Sequence, residues 1–191
     1  MSEIARCPWA GTTLGYLEYH DEEWGRPVHD DSRLFEMLVL EGMQAGLSWL
    51  TILKKREAFR EAFEGFDPAV VAMFDEAKIG ELLGNERIIR NRSKINAAIG
   101  NAQRFLEIQD EYESFSDFIW GYVEGRTVVG HWRSSDDLPT ATPLAIRISK
   151  DLRRLGFKFI GPVIVYSFLQ AVGIVNDHTT DCFVYKELVG G

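Results

Sequence analysis

The sequence predicts an all-α fold, and three observations carry that expectation. Helix start and stop signals delimit about eight segments, apolar residues inside them recur at helical spacing, and almost nothing alternates with a period of two. Taken in order, Ser32 can cap a helix through LFEMLVLEGMQ and Ser48 a second through WLTILKKREAFREAF. Asp67 followed by Pro68 opens a short third, and Asp75 a fourth that ends near Gly84. Ser93 begins a long amphipathic stretch in which Ile95, Ile99, Ala102, Leu106 and Ile108 share a face, followed by an aromatic helix around DFIWGYV. GRTVVGHWRSSDDLPTAT is the one long segment that reads as loop or short ribbon. Thr142 and Pro143 then start a helix that Gly156 ends, and Pro162 opens the apolar stretch VIVYSFLQAVG. The nearly uncharged run from Met37 to Leu53 contains a glutamate, a glutamine and two glycines and is too short to span a bilayer, so it belongs to a core and no membrane role is expected.

A chain of 191 residues can bury a substantial core, as one large domain or two small ones sharing an interface. Only Cys7 and Cys182 are present, and MSEIARCPWAG has neither the basic start nor the apolar stretch of a signal peptide. A reducing, cytoplasmic setting is expected, where two cysteines act as thiols or metal ligands more readily than as a bridge. The net charge of −8 excludes indiscriminate coating of nucleic acid. Positive charge is nevertheless concentrated in Lys54 to Arg56, in RIIRNRSK (Arg87, Arg90, Arg92, Lys94) and in KDLRRLGFK (Lys150, Arg153, Arg154, Lys158). Such patches suit a short DNA contact or are simply solvated helix faces.

Four features could carry chemistry. Gly156 and Gly161 bracket a tight turn between two helical stretches, and a helix start at Pro162 attracts phosphate; the plain alternative is an ordinary helix connection. Glu41 is the only charged residue between Met37 and Leu53 and shares a face with Leu34, Met37, Leu38 and Ala45. It points into apolar surroundings, where a carboxylate without compensation has a raised pKa, or else bonds a neighbouring backbone N–H or a tyrosine. Trp9, Tyr16, Tyr19, Trp24 and Trp49 cluster around this run and either build core or sandwich a purine, the more so a cationic one. Cys7 and His20 near the start, with His178 and Cys182 near the end, make a Cys₂His₂ set, although C-x12-H with H-x3-C is not a compact finger pattern.

The stretches CPW, YHDEEWG, LEGMQAGLSW, FDP, IIRNRSKI with IGNA, GFKFIG and NDHTTDC, in this order, resemble the 3-methyladenine DNA glycosylase I family over nearly the whole chain. The resemblance implies an all-α member of the helix-hairpin-helix glycosylase superfamily. It implies a zinc-binding unit formed by both termini (1–30 with 174–191) on a glycosylase domain of 31–173. Cys7, His20, His178 and Cys182 correspond to the ligands of one structural zinc ion. Glu41 is placed as the catalytic residue, with Tyr19, Trp49, Tyr16 and Trp9 in the base pocket. Gly46 and Leu47 would press into the base stack, and the turn from Gly156 through Lys158 to Gly161 would bind phosphate. Many relatives in the superfamily carry an assisting aspartate after the hairpin; here Asn176 or Asp177 sits near that place, and a bond from Asp177 to the metal histidine is the competing role.

The activity so implied is hydrolytic excision of 3-methyladenine from damaged double-stranded DNA by a monomer. An abasic site is left, and no strand cleavage occurs because no lysine nucleophile is identifiable. The flat cation would be held between Tyr19 and Trp49. Two readings from other classes compete: a damage-sensing DNA-binding module without chemistry, and an N-glycosidase acting on free nucleosides.

Overall fold

The structure, a computed structural model, describes residues 4–190. Its order is α1 (Leu14–Glu22), α2 (Asp31–Gln44), α3 (Trp49–Leu53), α4 (Arg56–Ala62), α5 (Pro68–Val71), α6 (Glu76–Gly84), α7 (Arg92–Tyr112), α8 (Phe115–Gly121), β1 (Val128–Val129), α9 (Pro143–Arg154), α10 (Pro162–Ala171), β2 (Val175–Asn176) and α11 (Phe183–Gly190). Short 3-10 turns lie at Pro8–Ala10, Glu64–Phe66 and Ser135–Asp137.

The all-α expectation holds, with eleven α-helices among the described residues where about eight were expected. Two differences account for most of this. Helix α1 has aromatic and acidic residues on all sides and no side-chain cap at Thr13, so it lacks both periodic and start signals. The segment after Ser48 divides at Lys54 and Lys55, and there the chain turns so that Arg56 points inward. Caps set the other starts. Asp67 accepts from the Ala69 N–H, Asp75 from that of Lys78 and Thr142 from that of Ala145. Asp30 rather than Ser32 caps α2, and Asn91 rather than Ser93 caps α7.

Helix α2 is the axis of the molecule. Every residue from Leu34 to Met43 is buried, as expected for a helix packed on all sides. Helices α7, α8, α10 and α3 surround it, and α9 packs on α10. Each apolar side chain removed from water here contributes roughly 1.5–3 kcal/mol before entropy is counted. The two ends of the chain meet beside this bundle. The Phe183 N–H donates to the Ala5 carbonyl at 2.9 Å, Arg26 pairs with Glu187 at 2.7 Å, and β1 runs parallel to β2. Gly173, with φ of +72°, lets residues 26 and 27 pass so closely that a Cβ would lie 2.3 Å from the Arg26 carbonyl carbon. No described helix is long and apolar enough to cross a membrane.

Candidate functional site

A cavity of about 350 Å³ opens where α1, the C-terminal part of α2, the start of α3, the Ser135–Asp137 turn and α10 meet. Trp9, Tyr16, Tyr19 and Trp49 line it with Glu41, Gln44 and Gln170. All five residues expected from the sequence to form a pocket therefore share one cavity, and Trp24 joins them.

Glu41 is 4 % exposed, and it makes no hydrogen bond or ion pair with any described residue. Burial alone lifts its carboxyl pKa to about 8. The alternative of a glutamate satisfied by a neighbouring N–H or a tyrosine is thereby set aside. Tyr19 is also fully inside; burial raises its phenol pKa, and the nearby Glu41 and Glu23 charges add to the effect. Trp49 Nε1, fully shielded from solvent, likewise has no hydrogen-bond partner among the described residues. An unpartnered acid and an unpartnered donor in one apolar cavity are the mark of a polar ligand.

The rings do not form the slot that was expected. Tyr19 and Trp49 lie with centroids 5.4 Å apart and planes inclined by 54°. A purine between parallel rings needs two van der Waals contacts of about 3.5 Å each, hence about 7 Å. These two rings instead make one tilted wall. Trp9 packs edge-on against Tyr16 and Trp24, and the Tyr16 hydroxyl accepts from the Leu50 N–H at 3.1 Å, which fixes α1 against α3.

Residues 125–137, which carried no functional signal, complete the cavity. Trp132 Nε1 donates to Asp177 Oδ1 at 2.6 Å and the Thr180 N–H to the Trp132 carbonyl, so the loop is tied down and brings Ser135 and Leu138 to the rim. Asp177 also accepts from the Tyr166 hydroxyl and from Gln170 Nε2. With three donors on a buried carboxylate, Asp177 neither faces the cavity nor bonds the neighbouring histidine ring. Of the two roles weighed for it, an assisting carboxylate or a partner of the metal histidine, the structure shows neither contact.

Cys7, His20, His178 and Cys182 converge, all buried, with their ligand atoms within 4.8 Å of one another. Cys7 Sγ is 3.4 Å from His178 Nδ1, and Cys182 Sγ is 3.5 Å from both His20 Nε2 and His178 Nδ1. A tetrahedron built on bonds of about 2.3 Å to sulfur and 2.0–2.1 Å to nitrogen has edges of about 3.3–3.8 Å; these three sulfur–nitrogen separations match it, and the four donors together could hold a metal ion. The outer ring nitrogens are held as metal-binding histidines require: His20 Nδ1 by Asp21 at 2.7 Å and His178 Nε2 by the Trp24 carbonyl at 2.9 Å. Asp21, in turn gripped by Arg6, was missed; its only signal was adjacency to His20.

Of the three basic patches, the structure leaves one available. Arg87, Arg90 and Arg92 pair with Glu61, Glu86 and Glu76, and Lys94 turns inward. Arg56 is buried between Glu23 and Glu36, and Lys55 caps the carbonyls of Glu86 and Arg87. Beside the Gly156–Gly161 turn, Lys150, Arg153 and Lys158 form no ion pair with described residues, while Arg154 pairs with Asp151 at 3.4 Å. Gly156 takes φ of +94° to end α9, and Pro162 begins α10. The Lys158 N–H bonds Asn101 Oδ1 at 2.8 Å, and the Val163 and Ile164 N–H groups of the first turn of α10 have no described carbonyl partner. Leu47, at the other expected DNA contact, is 39 % exposed beside Gly46, whose φ is +81°.

The family model for methyladenine glycosylase matches residues 9–185. DNA-3-methyladenine glycosylase 1 of Escherichia coli (strain K12) is 46 % identical over 182 residues, covering 95 % of this chain and 97 % of that protein. A crystal structure of a 3-methyladenine DNA glycosylase I superposes with a TM-score of 0.91 at 49 % identity, covering 94 % of this chain and 98 % of the other. A single-residue variant of a 3-methyladenine DNA glycosylase I, solved in complex with 3-methyladenine, superposes with a TM-score of 0.90 at 43 % identity, covering 93 % and 96 %.

Proposed function

This chain belongs to the methyladenine glycosylase family, and on that premise we propose that it excises 3-methyladenine from alkylated double-stranded DNA by hydrolysis, in base excision repair. The observation that carries the reading is the unpartnered Glu41 carboxyl in a ring-lined cavity with room for a purine base.

An adenine methylated at N3 is cationic while attached to the sugar, so its glycosidic bond is weak and the departing base is neutral. Little acid catalysis is needed. The protein supplies extrusion and selection instead. The cationic base lies against the tilted wall of Tyr19 and Trp49, with Trp9 and Tyr16 closing the pocket, and Glu41 accepts hydrogen bonds from the purine edge. Burial alone, which lifts its pKa to about 8, keeps Glu41 mostly protonated at neutral pH. A cation brought into the same low-dielectric space favours the carboxylate, so charge forms only against charge. The carbon–nitrogen bond breaks with its electron pair going to the base, water oxygen bonds the sugar carbon, and the water proton passes to solvent. An abasic site remains. The protein so read is a hydrolase without strand cleavage, the step proceeding with water as the nucleophile.

Gly46 and Leu47 fill the place the nucleotide leaves, and the Gly156–Gly161 turn with Lys158 holds phosphate, aided by the positive end of α10. The metal is zinc, because two thiolates and two imidazoles at tetrahedral spacing are its usual donor set. Its role is structural: four protein ligands leave no position for an activated water. On this reading residues 1–30 and 174–191 form the zinc unit around a glycosylase domain of 31–173. The protein acts as a cytoplasmic monomer, where reducing conditions keep both cysteines from oxidising to a disulfide and so leave them available to the metal. Incubation with methylated DNA, followed by chromatography of the freed bases, tests the proposal; absence of 3-methyladenine among them would refute it.

A further inference from the structure

Lys94 belongs by sequence to the basic run whose arginines lie on the surface in ion pairs. It alone turns inward, and is 9 % exposed. Its ammonium donates to the carbonyls of Met43 at 2.8 Å and Ala45 at 2.6 Å, at the end of α2. Carbonyls of the last helical turn have no partner within the helix, and the negative end of the helix dipole favours a cation there.

Gly46 and Leu47 come directly after Ala45, so the end of α2 that Lys94 grips is also the root of one proposed DNA contact. This turn is braced from within by Gln44, whose side chain donates to the Leu47 carbonyl at 2.8 Å and whose carbonyl accepts the Leu47 N–H at 2.7 Å. Those bonds shape the turn but do not fix its place relative to other helices. Lys94 does, from α7. Two turns further along α7, Asn101 clamps the Gly156–Gly161 turn through both the N–H and the carbonyl of Lys158. Gly42 also meets Phe159 of that turn at 3.7 Å from where its Cβ would stand. One helix therefore carries attachments to both proposed DNA contacts.

We propose that Lys94 is a positioning residue for the Leu47 turn, holding it at the height above the phosphate-binding turn at which Leu47 enters the base stack. The inference rests on the proposed function. A cation that only stabilises α2 would affect folding and every activity alike; one that places Leu47 slows excision far more than it weakens binding of the free base, whose cavity Gln44 and Trp49 on either side of the turn help to line.

The test is a double-mutant cycle on single-turnover excision of 3-methyladenine from duplex DNA, with affinity for the free base followed by tryptophan fluorescence. Lys94→Met should slow excision on the order of tenfold or more, as a displacement of about 1 Å can cost. Affinity for free 3-methyladenine should stay within about twofold, and Lys94→Met should add less than about threefold to the defect of Leu47→Ala, because coupled residues are not additive. Multiplicative defects in the double variant, unchanged excision by Lys94→Met, or loss of free-base affinity in step with excision would overturn it. Should Lys94→Met not fold, Lys94→Gln, whose amide NH2 keeps a donor group without the charge, enters the same cycle. Failure of the wild type to release any 3-methyladenine sinks the proposed function and this inference with it, whereas an active wild type with an indifferent Lys94 sinks the inference alone.

Discussion

Glu36 and Glu41 are both buried on α2, a little over one turn apart, yet only Glu36 has partners. Arg56 Nε reaches it at 2.7 Å and Arg60 Nε at 2.9 Å. Burial opposes ionisation of Glu36, but bonds to the two guanidinium groups outweigh it and hold its carboxyl below the usual range. The same helix therefore keeps one acid ionised as part of its framework and another neutral and unpaired in a cavity. Perturbed acids of the second kind mark functional sites, since nothing in the fold requires the penalty.

Glu41→Gln should reduce excision of 3-methyladenine by about 10- to 100-fold, the worth of a hydrogen bond to a charged partner. Affinity for abasic DNA should change far less. Excision rates on methylated duplex and equilibrium binding to an abasic duplex separate the two, and equal losses would mean that Glu41 only supports the fold.

The raised pKa of Glu41 also fixes a pH dependence of stability. The native state holds its proton between the unfolded value of 4.5 and about 8, so this group's contribution is fully present below 4.5 and declines as pH rises through 8. Relative to wild type, Glu41→Gln should gain stability as pH rises across that window, on the order of a few kcal/mol at most. Thermal melts at pH 5 and pH 9 measure this; a difference that does not depend on pH would show that Glu41 is not held protonated.

Purified protein should contain one zinc ion per chain. Stripping the metal or substituting Cys182→Ala should lower stability on the order of 4 to 5 kcal/mol, if the site acts as a cross-link between the two ends of the chain. Below the new melting temperature excision should persist. Lost catalysis in a folded, DNA-binding, metal-free protein would instead make the metal part of the reaction.

Lys158→Ala and Arg153→Ala should each weaken DNA binding and take about one unit off the salt slope, while Arg92→Ala, whose guanidinium pairs with Glu76 at 2.9 Å, should leave both unchanged. Binding isotherms at several salt concentrations decide it. If activity on duplex fell while hydrolysis of free nucleosides was present and untouched, the nucleoside reading would regain its place.

Asp177→Asn should lower the melting temperature, because the carboxylate serves Trp132, Tyr166 and Gln170 together. Its single-turnover rate should remain within about tenfold of wild type, short of the 10²–10⁴ typical of a lost acid or base. A larger drop in a folded variant would restore a catalytic part for this aspartate.

The sequence by itself determined what is local or periodic. Asp67 before Pro68, Asp75, and Thr142 before Pro143 start helices with their own side chains, and Gly156 ends one because only glycine takes its left-handed backbone without strain. The isolation of Glu41 was legible too, as one charge in an apolar run. Tertiary structure alone decided which cations stay free, since Arg56 and Lys94 look no different in sequence from Lys158 until helices pack over them. It also decided that Tyr19 and Trp49 incline into a wall and that the loop before Leu138 reaches the cavity rim, whereas the meeting of Cys7 and His20 with His178 and Cys182 was implied in sequence by the family resemblance and not by spacing. Each of these depends on segments remote along the chain, whose relative placement is set by packing around α2 and leaves no mark on either segment alone.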